Sequence, residues 1–316
     1  MNCQSSPNRE EWLRQEIIKL KKKKNALIMA HYYQRDEIQE IADFIGDSLA
    51  LARQASKTDA DIIVMCGVHF MGETAKILCP EKKVLIPDMN AGCSLADSCD
   101  PLEFEAFIKN YPDHTVICYV NTSAAVKALT DIVVTSGNAR KIVEQLPINE
   151  KIIFGPEKNL GEYINSVTGR KMLLWNGACH VHDRFSLEKI IQMKKDHPEA
   201  KILVHPECKR PLQMIADKVG STAALLEFAA TDDAKEYIVV TESGILFEMR
   251  NKCPGKVFLA APAEDAECQC NECDFMKMNT LEKVYLALRD EKPEISVDRA
   301  VAEKAVKSIE RMLAMS

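Results

Sequence analysis

The chain has 316 residues, 47% of them hydrophobic and 28% charged, which is the profile of an ordinary soluble globular protein long enough for two or three small cores. Lys and Arg number 41 against 47 Asp and Glu, and a formal charge of −6 excludes a global basic field for nucleic acid or anionic membrane. The opening MNCQSSPNREEW has no apolar signal region and no stretch approaches the roughly 18 apolar residues of a membrane span, so a cytosolic protein is expected.

Taken in chain order, an amphipathic helix is predicted over Arg9–Leu20, closed by Lys21–Lys24, whose cations suit a helix C-terminus. Short apolar runs bounded by turn residues then alternate with helical patterns. They lie at Ala26–Ala30, Asp61–Cys66, Lys83–Ile86, Thr115–Val120, Asp131–Thr135, Lys151–Phe154, Lys171–Trp175, Lys201–Val204, Glu236–Thr241 and Lys256–Ala260. Alternating strands and helices predict small parallel sheets covered on both faces. A surface helix is expected over Asp298–Leu313.

The runs repeat. HYYQRDEIQEIADFIGDSLAL from His31 aligns with HPECKRPLQMIADKVGSTAAL from His205 at a fixed offset, and a middle copy begins at TVICYVNTSAAVKAL with one helix shortened. Each copy ends in a loop carrying cysteine: Cys93, Cys179 and the group Cys268, Cys270 and Cys273. The expected fold is α/β, three similar αβα domains with small parallel sheets around a pseudo-threefold axis, over residues 1–105, 106–190 and 191–316.

Ligands of parallel α/β sheets bind beyond the carboxyl ends of the strands. The first strand of each copy ends on polar residues two apart, which share one face of an extended segment: His31 and Tyr33, Tyr119 and Asn121, His205 and Glu207. A second set opens helices: Gly46-Asp47-Ser48, Ser136-Gly137-Asn138 and Gly220-Ser221-Thr222. Each can be an ordinary N-cap; together, their free N–H groups could hold a small polyanion without many Arg or Lys.

Twelve cysteines in a cytosolic chain point to metal or redox chemistry more than to disulfides. Cys66 and Cys118 lie in strand-like runs and read as small hydrophobes, and Cys3, Cys79 and Cys253 have no ligand-like setting. One thiolate per copy would give a three-ligand [4Fe–4S] site with one iron open to substrate. Spacing alone leaves two rivals: a local zinc knuckle of Cys268, Cys270, Cys273 and Cys253, and a redox pair of Cys270 and Cys273.

The motifs AHYYQ, GDSLAL, MNAGCSLAD, YVNTSAAVKAL, VVTSGNA, WNGACHVHDRF, VHPEC, VGSTAAL and C-x-x-C-x-x-M-x-M-N occur here in the order in which they occur in the quinolinate synthase family, which the chain resembles from about His31 to Asn279. The resemblance implies an enzyme of NAD biosynthesis that condenses iminoaspartate with dihydroxyacetone phosphate, holding a [4Fe–4S] cluster with Cys93, Cys179 and Cys273. It implies substrate contacts from His31, Ser48, Tyr119, Asn121, Ser136, His205, Glu207 and Thr222. Tyr33 and Glu207 are its acid–base candidates, with Tyr119 and His205 beside them. An aspartate oxidase or dehydrogenase would supply the iminoaspartate, and neither nucleic acid nor membrane is an expected partner. The chain departs from the family in having C-x-C-x-x-C where members often show C-x-x-C-x-x-C. His182, three residues past Cys179, is either part of the ligand loop or a structural histidine. The alternatives are another enzyme with one cluster cysteine per domain, of the diphthamide-synthesis type, and a non-catalytic zinc or iron–sulfur scaffold.

Overall fold

A computed structural model describes residues 7–264 and 271–316, so Cys3, Cys268 and Cys270 lie outside the described residues. Among the described residues, twelve strands form three separate four-stranded sheets. The first sheet contains β1 (Ala26–His31), β2 (Phe44–Gly46), β3 (Ile62–Cys66) and β4 (Lys83–Leu85). The second contains β5 (Thr115–Tyr119), β6 (Ile132–Val134), β7 (Ile152–Gly155) and β8 (Leu173–Leu174). The third contains β9 (Lys201–Val204), β10 (Lys218–Val219), β11 (Glu236–Val240) and β12 (Val257–Ala260). Their orders are β2-β1-β3-β4, β6-β5-β7-β8 and β10-β9-β11-β12, and every pairing is parallel. The repeat read from sequence is therefore a repeat of topology.

Two strands were not foreseen. β2 and β10, of three and two residues, occupy the segments FIG and KV just before predicted helix starts. Runs that short carry no periodicity, and only the neighbouring strand defines them.

The neighbouring strand does so through one repeated device. The Asp43 N–H donates to the Ile28 carbonyl and its carboxylate accepts the Ile28 N–H, both at 2.9 Å. Asp131 binds both backbone groups of Val116 at 2.9 and 2.8 Å, and Asp217 those of Ile202 at 2.9 and 2.7 Å. Each aspartate thus locks the entry of an edge strand onto a central one. Gly46 and Gly220, three residues on, sit where a Cβ would meet the Cβ of Ala50 at 2.8 Å or of Ala224 at 3.0 Å, so the next helix can begin at once. The second repeat has Val134 there, and its helix starts later, at Ala139.

The chain forms two compact units, one running to Cys93 and resuming over Asp274–Asp298, the other comprising Ser94–Cys273 and Arg299–Ser316. In the first, Leu13 and Ile17 of the N-terminal helix (Pro7–Lys23) and Leu281, Val284 and Leu288 of the helix Leu281–Asp290 bury Ile28, Ala30, Ile62, Val64 and Cys66 on one sheet face. The alternate residues Met29, Ile63 and Met65 are buried by the opposite face. In the second unit the last helix, Arg299–Met315, packs on β6 and on the short helix Ala124–Lys127, where Ser308 donates to the Lys127 carbonyl at 3.0 Å. No helix among the described residues is long and apolar enough to cross a membrane.

Because the three aspartates share this backbone role, and the further ion pair of Asp43 with Lys21 at 2.7 Å lies near the surface and adds little, their truncation should cost nearly the same. Asp43→Ala, Asp131→Ala and Asp217→Ala are each expected to lose about 1 kcal/mol, the usual net worth of a hydrogen bond, whereas Asn at any of the three keeps an accepting oxygen and should cost a fraction of that. Shifts in denaturant midpoint across the six variants check this. Equal losses for Ala and Asn would contradict it.

Candidate active site

The parallel registers align Ala30 with Cys66, Cys118 with Gly155 and Val204 with Val240, so His31, Tyr119 and His205 are equivalent strand-end residues. At the end of β1, His31 is buried, and its Nδ1 accepts the Tyr33 N–H at 3.1 Å. A neutral ring held this way carries its proton on Nε2. Tyr33 lies edge-on to it with ring centres 4.5 Å apart. Ser48 opens the helix Ser48–Ala55, whose N-cap Asp47 accepts the Ala50 N–H at 3.0 Å; burial pushes that carboxyl up against two backbone donors. The MKMN segment that closes the family motif returns to the same strand ends. Lys277 Nζ donates to the Tyr33 carbonyl at 2.8 Å, and the buried Asn279 donates to the Gly67 carbonyl at 2.8 Å.

In the second unit, residues of two repeats meet. The Tyr119 hydroxyl donates to Glu207 Oε1 at 2.5 Å. His205 accepts the Glu207 N–H on Nδ1 at 3.4 Å and meets the Ser136 hydroxyl with Nε2 at 3.2 Å. The His182 ring stacks on His205 at 4.7 Å, with Nδ1 3.2 Å from Glu207 Oε2 and 3.4 Å from Cys179 Sγ, and Nε2 2.9 Å from the Thr241 hydroxyl. Burial alone would raise the Glu207 carboxyl, but His182, His205 and the Tyr119 hydroxyl outweigh it and pull it down to about 2. Asn121, equivalent to Tyr33 and Glu207, has a buried side-chain oxygen with no partner among the described residues. Thr222, 3% exposed, opens the helix Thr222–Thr231 behind its N-cap Ser221.

Of the nine described cysteines, six are buried and three are partly exposed: Cys93, Cys179 and Cys273. Burial pushes the thiols of Cys66, Cys99 and Cys208 up, and that of Cys118 to about 12, so they are poor thiolate donors. Cys253, proposed for a local knuckle, is buried at the end of the helix Ile245–Lys252. Cys179, His182 and Glu207 present ligand atoms all within 4.8 Å of one another, a group able to hold a metal ion.

Sequence reasoning passed over two residues here. Glu157 and Glu242, both fully buried, follow β7 and β11 by two positions, and each accepts the backbone N–H of a cysteine, Cys179 at 2.8 Å and Cys273 at 3.1 Å. Burial and the nearby Glu207 carboxylate push Glu157 well up, against the donors of Cys179 and Asn159. Their shared place in the repeat was the available signal.

These motifs and their setting agree with what the chain is similar to. The family description of the quinolinate synthetase A protein matches residues 15–314. A quinolinate synthase of Microcystis aeruginosa is 54% identical over 300 residues, covering 95% of this chain and 94% of that protein. Those of Thermosynechococcus vestitus and Chloroherpeton thalassium are 54% and 53% identical, covering 94% and 96% of this chain and 93% and 94% of their own lengths. The chain belongs to the quinolinate synthetase A family of enzymes.

Proposed function

We propose that this chain is a quinolinate synthase that condenses iminoaspartate with dihydroxyacetone phosphate, releasing phosphate and water, and that Cys93, Cys179 and Cys273 hold its [4Fe–4S] cluster. The observation that carries the cluster assignment is that these three alone among the nine described cysteines are not buried, one in each repeat. The three-repeat topology supports three αβα domains around a pseudo-threefold axis, proposed over residues 1–105, 106–190 and 191–316, although the tail departs from those bounds, with Leu281–Asp290 packed on the first sheet and Arg299–Met315 on the second. A cubane held by three thiolates supplies one iron free to act as a Lewis acid on a substrate oxygen. An aspartate oxidase or dehydrogenase would provide the iminoaspartate, and a cytosolic setting suits reduced thiols.

The remaining chemistry falls to side chains. Glu207, ionised and buried, is an acceptor that orients the Tyr119 hydroxyl. A proton leaving substrate would reach the carboxylate along that hydrogen bond, and Tyr119 would return one. His205 offers Nε2–H beside the Ser136 hydroxyl, a pair of donors for a substrate oxygen. The orphaned Asn121 oxygen suits a substrate hydroxyl or amine donor, which would satisfy an atom otherwise costing about 1–3 kcal/mol to bury. Ser48 and Thr222 bring hydroxyls and helix-start N–H groups to carboxylate or phosphate, Ser136, which lies before the helix that starts at Ala139, brings a hydroxyl alone, and His31 and Tyr33 complete the set with a second imidazole and an acid–base phenol.

Protein purified without oxygen should contain about four irons and matching sulfide per chain, and Cys93→Ala, Cys179→Ala and Cys273→Ala should each lose the cluster chromophore and turnover. One zinc and no sulfide would instead favour a mononuclear site at Cys179, His182 and Glu207. A full cluster with full turnover in any one cysteine variant would remove that residue. Glu207→Gln should retain iron and sulfide while kcat falls by about 10²- to 10⁴-fold, the range of a lost general acid–base group. Steady-state kinetics on cluster-loaded protein decides this, and unchanged kcat would exclude Glu207 from proton transfer.

A further inference from the structure

Buried carboxylates are rare unless something specific uses them. Glu157 and Glu242 are both 0% exposed, and each accepts one N–H from two positions on and one from a cysteine. Glu157 takes the N–H of Asn159 on Oε1 at 3.0 Å and that of Cys179 on Oε2 at 2.8 Å. Glu242 takes the N–H of Gly244 on Oε2 at 2.7 Å and that of Cys273 on Oε1 at 3.1 Å. One oxygen therefore holds the turn that leaves the middle strand of a sheet, and the other holds the peptide of a cysteine in a loop far along the chain. The equivalent position after β3 is Val68, which cannot do this; there the loop is tied through its backbone, His69 N–H to the Ala91 carbonyl at 2.7 Å. The second repeat has that backbone tie as well, Lys158 N–H to the Gly177 carbonyl at 2.9 Å, so the carboxylate is an addition to it.

We infer that Glu157 and Glu242 are paired positioning residues, each fixing one cysteine, Cys179 or Cys273, in the orientation from which its sulfur binds the cluster. The inference rests on the cluster reading above. A carboxylate suits the task because both donors are N–H groups and both of its oxygens accept. Glutamine has one accepting oxygen and would set its own NH₂ against the other N–H, so it breaks one of the two ties without changing size. The tight setting of the loop agrees with a fixed orientation: a Cβ on Gly177 would meet the Pro156 carbonyl oxygen and the Ser98 hydroxyl at 2.6 Å. Immediately after Cys179, the His180 ring takes a further tie, with Nδ1 2.5 Å from the Ser94 hydroxyl.

The test reads each thiol separately. Cluster-free protein is labelled with a maleimide under native conditions, and the rate at each cysteine is followed by peptide mass mapping. Glu157→Gln should speed labelling of Cys179 by about tenfold, the effect of losing one buried hydrogen bond, and leave Cys273 and Cys93 at wild-type rates. Glu242→Gln should do the reverse. In reconstituted protein, both variants should release iron to a chelator faster than wild type and alter the cluster's electron paramagnetic resonance signal, which general loosening of the fold would not do selectively. Unchanged rates at both cysteines, or a rise at all three thiols in either variant, would overturn the inference. If a Gln variant does not fold, Glu157→Asp and Glu242→Asp are read by the same criteria, since the shorter side chain cannot span both donors. Should wild-type protein take up no iron while the crossed labelling pattern holds, the cluster reading fails and the positioning of the two loops stands.

Discussion

Asp43, Asp131 and Asp217 each take both backbone groups of one residue in the first strand of a sheet, always fifteen positions back along the chain. That reciprocal pair fixes the register between the first strand and the edge strand beside it. Once it is fixed, the residues at the strand end and those at the next helix start fall at set places. In a parallel sheet a one-residue slip would turn every side chain to the other face. A slip of β2, β6 or β10 would shift Ser48, Ser136 and Thr222, which follow those strands, relative to His31, Tyr119 and His205.

On this register stands a repeated wiring of polar groups. After each first strand the chain makes a turn whose carbonyls must be satisfied. Gln39 donates to the Gln34 carbonyl at 2.9 Å and Gln213 to that of Cys208 at 2.7 Å, while in the second repeat the fully buried Lys127 donates to the Thr122 carbonyl. The backbone is held alike three times, and the side chains beyond it differ. Tyr33, Asn121 and Glu207 occupy one equivalent position with three different chemistries. A repeated backbone thereby carries three different side chains at one equivalent position.

The central strands were legible in the sequence because burial on both faces writes a continuous apolar run, and Lys201–Val204 agrees to the residue. β2 and β10 were not, because FIG and KV stand in no longer apolar run, unlike the equally short β6 and β8, and the aspartate before each looks like a turn or a cap. The strand-end pairs and helix-start hydroxyls were visible through the repeat. Choosing among the cysteines was different. Spacing left the loop cysteines open and the family resemblance singled out three; among the nine described cysteines these are the three that are not buried, while Cys268 and Cys270 lie outside the described residues. Glu157 and Glu242 were invisible because glutamate next to lysine or serine reads as solvated surface, and nothing local says that a cysteine peptide will arrive to meet it.

The environment around Glu207 explains how so much polarity can be buried. Two carboxylates, Glu157 and Glu207, and two imidazoles, His182 and His205, lie in one region with almost no exposure. Like charges this close cannot be equally comfortable, and their surroundings separate them. Glu207 receives the Tyr119 hydroxyl and the two rings, and is held low. Glu157 receives only backbone N–H groups and is pushed up by burial and by Glu207 itself. The side-chain oxygen of Asn121 is among the buried polar atoms that have no partner. That arrangement is unfavourable for stability alone, since apolar residues of similar volume would pack the same space at less cost. It is reasonable for a site whose remaining hydrogen bonds are completed by a substrate.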